Sequence, residues 1–211
     1  MNGIVEAKTE KYLSSLLPRR DGVLREMERY AARHHVPIVG PACGRVLYQL
    51  ARLIGARRVF EMGSAIGYST LWLARAVGPQ GFVYYTDGDP ANARRAEAYL
   101  KKAGVLGRVR ILVGDARALL HSTQGPFDLI FNDVDKMQYP GVFRSAVGRV
   151  RPGGLLITDN VLWSGRVARP VAPGDAATRA IQEFNRLIYR AAKLFTTIIP
   201  LRDGLAVCTK L

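Results

Sequence analysis

Cysteine is scarce in this chain. Two residues, Cys43 and Cys208, cannot build a disulfide framework. With only three histidines beside them, no Cys/His spacing of the zinc-binding kind occurs. Long apolar runs are missing too. None approaches the roughly 20 residues that a membrane-spanning helix needs, so no membrane partner is expected. Met1-Asn2-Gly3-Ile4-Val5-Glu6-Ala7-Lys8 lacks the basic-then-apolar pattern of a secretory leader, and a cytoplasmic location is expected. Acidic residues are few: 17 stand against 31 Lys and Arg, a net charge of +14. Such an excess suits acidic partners, nucleic acid among them. The basic residues are scattered, however, as at Arg19-Arg20, Arg57-Arg58, Arg94-Arg95 and Lys101-Lys102. A bias of composition therefore stands beside the functional explanation.

What is present is a long alternation of two patterns. Helical spacing of apolar residues marks 5–17, 21–35 and 42–55, with Pro18, Asp21-Gly22 and Pro37 as breaks. His34-His35 closes the second helix, where a helix end favours them over metal binding. Beyond residue 56, short apolar runs at 57–62, 81–86, 108–113, 126–132 and 153–158 alternate with helical stretches at 67–77, 90–103, 115–121 and 138–150. Strict alternation predicts a parallel sheet covered on both faces. Near-continuous apolar strands fit burial on both sides. After a helix over 175–191, two further runs flank Asp203-Gly204 and predict a closing hairpin. One strand should therefore run antiparallel. No repeat, linker or low-complexity segment interrupts the 211 residues, so one domain is expected, with N-terminal helices over 1–55 and an α/β core over 56–211.

The first strand ends in Glu61-Met62-Gly63-Ser64-Ala65-Ile66-Gly67-Tyr68-Ser69-Thr70. Strand, glycine turn and helix form the front half of a nucleotide-binding βαβ unit. Gly63 and Gly67 allow a sharp bend and a close approach to a ligand. The dinucleotide fingerprint G-x-G-x-x-G fails at Ala65, so a pyrophosphate is disfavoured. Glu-x-Gly-x-x-x-Gly resembles instead the first motif of S-adenosylmethionine (AdoMet) methyltransferases. On this motif alone, an ordinary glycine turn stands equally open. The second strand ends at Asp87-Gly88-Asp89, with Asp87 placed for ribose hydroxyls and Asp89 for capping the helix at Pro90. The third ends at Gly114-Asp115-Ala116, where Asp115 could hold an adenine amino group, cap the next helix, or both.

The fourth and fifth strands end in Asn132-Asp133-Val134-Asp135-Lys136 and Thr158-Asp159-Asn160. Neighbouring tips would present Asp133, Asp159 and Asn160 together. Hard oxygen donors without His or Cys suit Mg²⁺, Ca²⁺ or Mn²⁺. Tyr68, Met137, Tyr139 and Trp163 could wall an acceptor pocket or belong to the core. The segment from Trp163 to Gly174 has the length and Pro/Gly content of a lid or binding loop.

Taken in order, Pro37-Ile38-Val39-Gly40-Pro41, the Glu61–Thr70 stretch, Gly114-Asp115-Ala116, Asp133-Val134-Asp135-Lys136, Asp159-Asn160-Val161-Leu162-Trp163 and Asp203-Gly204-Leu205 resemble the cation-dependent O-methyltransferases of the catechol and caffeoyl-coenzyme A type. That resemblance implies a Rossmann-like methyltransferase fold: a seven-stranded, mostly parallel sheet with one antiparallel strand and helices on both faces. It implies AdoMet held by the residues matching Val39, Glu61, Gly63, Ser69, Asp87, Asp115, Ala116 and Asp133. It implies a divalent cation, Mg²⁺ first, on Asp133, Asp159 and Asn160, with Lys136 as catalytic base. A homodimer through the N-terminal helices is implied as well. The acceptor would be the hydroxyl of a small molecule with neighbouring oxygens. Arg33-His34-His35-Val36-Pro37-Ile38 also resembles the bacterial branch that methylates 5-hydroxyuridine in tRNA, which makes tRNA the second acceptor class. Three positions depart from the family pattern: Ala42-Cys43 where Glu or Gln is usual, Asn132 where an apolar residue is usual, and Gly88 in place of an aliphatic residue.

Overall fold

The computed structural model of the chain describes residues 5–211. Met1 to Ile4, on which part of the leader reading rests, lie outside them. Three helices come first: α1 Ala7–Ser15, α2 Gly22–His34 and α3 Gly40–Leu53. Asp21 starts α2 by accepting from the Val23 and Leu24 N–H groups at 3.0 and 3.1 Å, which satisfies two donors a helix leaves unpaired. His35 ends it in the left-handed region at φ 54°. His34 stacks on Tyr30, ring centroids 4.2 Å apart, so the histidine pair serves the helix end.

From Arg58 the alternation runs as expected: β1 Arg58–Met62, α4 Tyr68–Ala76, β2 Phe82–Asp87, α5 Pro90–Lys102, β3 Val109–Val113, α6 Ala116–Ser122, β4 Phe127–Asn132, α7 Tyr139–Ala146, β5 Val150–Thr158, α8 Ala176–Arg190, β6 Leu194–Ile199 and β7 Leu205–Lys210. Two boundaries differ noticeably. The helix expected over 138–150 closes at Ala146 and finishes as a 3-10 turn, Val147–Arg149. The strand expected from 153 already begins at Val150. Pro152-Gly153-Gly154 looks like a turn in the sequence. In the sheet it is absorbed by an irregularity in the β4–β5 register between Phe127 and Leu129.

The strand order is β3-β2-β1-β4-β5-β7-β6. All pairings are parallel except those of β7, which runs antiparallel to both β5 and β6. Successive strand residues point to opposite faces, so β1 feeds two cores. Val59 joins the cluster with Leu24, Leu47, Leu71 and Leu100; Phe60 and Met62 join the one with Val142, Phe184 and Ile188. The strand order reverses between β1 and β4. A crevice opens there beyond the carboxyl ends of the strands, where open α/β sheets place their ligands.

Gly63 and Gly67 adopt φ +80° and +82°, which side chains tolerate poorly. Their missing Cβ atoms leave room for protein more than for a ligand. A Cβ on Gly63 would stand 2.5 Å from the Asp133 carbonyl oxygen, and one on Gly67 2.9 Å from Ala96 Cβ. The glycine turn is thereby pressed against the end of β4.

Candidate active site

The strand tips border one cavity of about 1030 Å³, large enough for a ligand of drug size and more. Of the residues singled out in the sequence, it gathers Gly63, Asp87, Asp115, Ala116, Asp133, Lys136, Asp159 and Asn160. Val39, Glu61 and Ser69 are buried and do not line it. Trp163 lines the cavity. Tyr68 and Tyr139 are core residues, and Met137 is exposed outside it.

At the β2 end, Asp87 is a hinge pin. One carboxylate oxygen accepts from Ala65 N–H at 2.8 Å; the other accepts from Asp89 N–H at 2.8 Å and Asn92 Nδ2 at 3.1 Å. It thus joins the glycine turn to the start of α5. Asp89 caps α5 through Ala91 N–H at 2.7 Å. Asp115 caps α6 through Ala118 N–H at 2.8 Å while still facing the cavity.

Glu61 has no exposed surface. Its Oε2 accepts from the Thr70 hydroxyl, and its Oε1 has no partner. Burial pushes its carboxyl up to about 7, against the opposing hydroxyls of Ser69, Thr70 and Ser64. A carboxyl raised in the folded state is stabilising when protonated; that contribution is complete below the unfolded value of 4.5 and is lost as pH rises through about 7. Glu61→Gln cannot titrate. Without cofactor, its stability relative to the parent should therefore improve by about 3 kcal/mol between pH 4.5 and pH 8. Denaturant unfolding at both pH values measures this, and a pH-independent difference would refute it.

At the β4 and β5 ends, Asp133 N–H donates to Met62 O at 2.9 Å and Asp159 N–H to Asn132 O at 3.1 Å. The two aspartates therefore follow directly on neighbouring paired strands. Asn160 takes φ 57°, and its N–H donates to Asp159 Oδ1 at 2.9 Å. Tyr139 fixes this corner by donating its hydroxyl to the Asp159 carbonyl at 2.8 Å. Lys136 Nζ donates to Asp133 Oδ1 at 2.9 Å and lies 5.3 Å from the Tyr139 ring centroid. Burial raises the Asp133 carboxyl, with the Lys136 charge opposing. Burial, and then the Asp133 charge, raise that of Asp159. Asp159 has no cationic side chain within 4.0 Å among the described residues. No group of three His, Cys, Asp or Glu side chains forms among those residues either; the set here is two carboxylates and an amide. Asn132 is fully buried under this corner, its Nδ2 3.5 Å from Thr158 Oγ1.

Arg202 was not singled out in the sequence, yet it lines the cavity. A signal existed. A strand antiparallel to β5 must start at the edge where β5 ends, and Thr158 pairs with Ala206. The hairpin turn before β7 must then fall over the site. The expected lid is anchored: Ser164 N–H donates to Asp203, Gln182 Nε2 to Val167 O at 2.9 Å, and Arg166 pairs with Asp175.

Fold and cavity together define a class: a Rossmann-like methyltransferase, with acidic strand tips around a crevice at the sheet's switch point. Comparison narrows it. A family model described as O-methyltransferase matches residues 14–211. A catechol O-methyltransferase of Niastella koreensis is 32% identical, with 98% of each chain covered. The O-methyltransferase of Bacillus cereus in complex with SAH superposes with a TM-score of 0.87 at 30% identity, covering 97% of each chain. TomG of Streptomyces achromogenes, involved in tomaymycin synthesis and solved with SAM, gives 0.87 at 31% over 96% of each. The chain belongs to the cation-dependent O-methyltransferase family of the catechol and caffeoyl-coenzyme A type. It is an AdoMet-dependent O-methyltransferase. No helix among the described residues is long and apolar enough to cross a membrane.

Proposed function

We propose that this enzyme methylates one hydroxyl of a small acceptor bearing two neighbouring oxygens, at a divalent cation held by Asp133, Asp159 and Asn160. One observation carries the proposal. Asp159 is a 3% exposed carboxylate whose one side-chain hydrogen bond among the described residues comes from the N–H of Asn160, and a second carboxylate stands on the adjoining strand tip. Buried negative charge without a cation is costly, and a hard divalent ion relieves it with oxygen donors alone. Mg²⁺ is the first choice, with Ca²⁺ and Mn²⁺ meeting the same donors. The catechol activity named for the Niastella koreensis relative supports a vicinal diol as acceptor.

AdoMet would supply a methyl group already activated by its sulfonium. The cation would acidify a chelated hydroxyl and fix its direction. The rest falls to the chain. Gly63, Asp87, Asp115, Ala116 and Asp133 line the cavity where they would hold AdoMet, Asp87 by its ribose hydroxyls. The buried Val39, Glu61 and Ser69 would support that lining. Lys136, 2.9 Å from Asp133, stands where a hydroxyl proton must leave and serves as base. Trp163 closes the acceptor side. Holding acceptor and methyl donor in line removes much of the barrier by itself. A homodimer fits the first helix: α1 buries no residue, and Tyr12, Leu13 and Leu16 are exposed on or beside it.

The test is methyl transfer from AdoMet to catechol with Mg²⁺ and with excess EDTA. Turnover is expected only with the ion. Equal rates in EDTA would remove the cation from the reaction.

A further inference from the structure

Arg202 sits in the turn between β6 and β7, at φ 52°. That left-handed conformation is disfavoured for a long side chain. Gly204 two residues later is also left-handed, so the turn is sharply wound and directs Arg202 back toward the cavity it lines. The guanidinium is braced on one side only. Its Nη1 donates to Ile38 O at 3.1 Å. Its plane rests over Gly40, where an added Cβ would come to 3.4 Å from Cζ and Nη1. No carboxylate lies within 4.0 Å of it among the described residues, although its charge opposes in part the burial-driven rise of both Asp133 and Asp159. A guanidinium carries five N–H donors; one is used here. The rest of the planar fork has no protein partner among the described residues, on an exposed residue that lines the cavity holding Asp133, Asp159 and Asn160.

Such a fork matches a carboxylate in shape and charge. It is also the cationic feature of this cavity, besides Lys136, that a neutral catechol would leave idle. We propose that Arg202 is an acid-recognition residue, and that the favoured acceptors are dihydroxy compounds bearing a carboxylate, the diol held at the cation and the acid at the guanidinium. This rests on the vicinal-oxygen acceptor proposed above. The competing role for Arg202 is structural, to balance the negative charge of the aspartates; that role predicts no discrimination between acceptors.

The probes are 3,4-dihydroxybenzoate and its amide, 3,4-dihydroxybenzamide, assayed with AdoMet and Mg²⁺. The parent enzyme should favour the acid in kcat/KM by about tenfold or more, as a charge-assisted contact warrants. In Arg202→Asn and Arg202→Gly, both compatible with a left-handed turn, the ratio should fall to near one, chiefly through a higher KM for the acid. Arg202→Lys should keep part of the preference. AdoMet affinity, measured by calorimetry, should stay within about twofold across the series. A parent enzyme that treats acid and amide alike overturns the inference without any variant. So does an equal loss for both acceptors, or a loss of AdoMet affinity, which would assign the guanidinium to the charge balance or to the cofactor. Methylation of neither probe, nor of catechol, would instead sink the acceptor class itself, and the inference with it.

Discussion

Asp159→Ala should lower kcat/KM for a catechol acceptor by roughly 10³-fold at saturating Mg²⁺, because an ion acting as Lewis acid supplies several kcal/mol of transition-state stabilisation. AdoMet binding should change little, since Asp159 lies at the proposed metal corner of the cavity. A second readout separates this from general damage. In the parent protein, Mg²⁺ should raise the melting temperature with concentration by binding the folded state; in Asp159→Ala that rise should vanish. The apo variant should melt no lower than the apo parent, because the substitution removes a 3% exposed carboxylate with no cationic side chain within 4.0 Å among the described residues. An Asp159→Ala enzyme that keeps parental turnover, or still melts higher in Mg²⁺, would discard the ion site.

Lys136→Ala should reduce kcat by about 10² to 10⁴-fold, the range for loss of a positioned general base. KM for the acceptor should move far less, because Lys136 acts on a proton and not on the resting contacts. Residual turnover should climb with pH, as hydroxide takes over the missing base. Removing the ammonium also strips Asp133 of its 2.9 Å partner, so the apo variant should lose a few kcal/mol of stability. Mg²⁺ should restore part of that loss by neutralising the same carboxylate. Unchanged kcat at neutral pH would reassign Lys136 to a purely electrostatic role beside Asp133.

Much of the site is legible before any coordinates. The candidates that line the cavity stand at, or within a few residues of, the end of an apolar run, and parallel strands must deliver such residues to one edge. What the pattern does not reveal is depth. Glu61 is one residue inside β1 and points to a core face; the same strand two residues further on brings Gly63 to the cavity. Ser69 lies in the first turn of α4 and is turned inward. Aromatic residues divide in the same way. Tyr139, open in the sequence between pocket wall and core, is fully buried, its hydroxyl spent on the Asp159 carbonyl. The importance of Arg202 depends on where the hairpin turn lands, which is a property of the strand order.

The sequence by itself determined the alternating βα order, the closing hairpin and the chemical character of each strand tip. Local periodicity and turn residues are written into neighbouring positions, and each acts over a few residues. Only the tertiary structure decided which tips adjoin, that Asp159 stands buried with no cationic side chain within 4.0 Å among the described residues, that Gly63 is pinned against Asp133, and that Arg202 lines the same cavity as the aspartates. Those relations join residues scores of positions apart. They arise because β4 and β5 pair side by side and β7 returns antiparallel, and no short-range pattern encodes that.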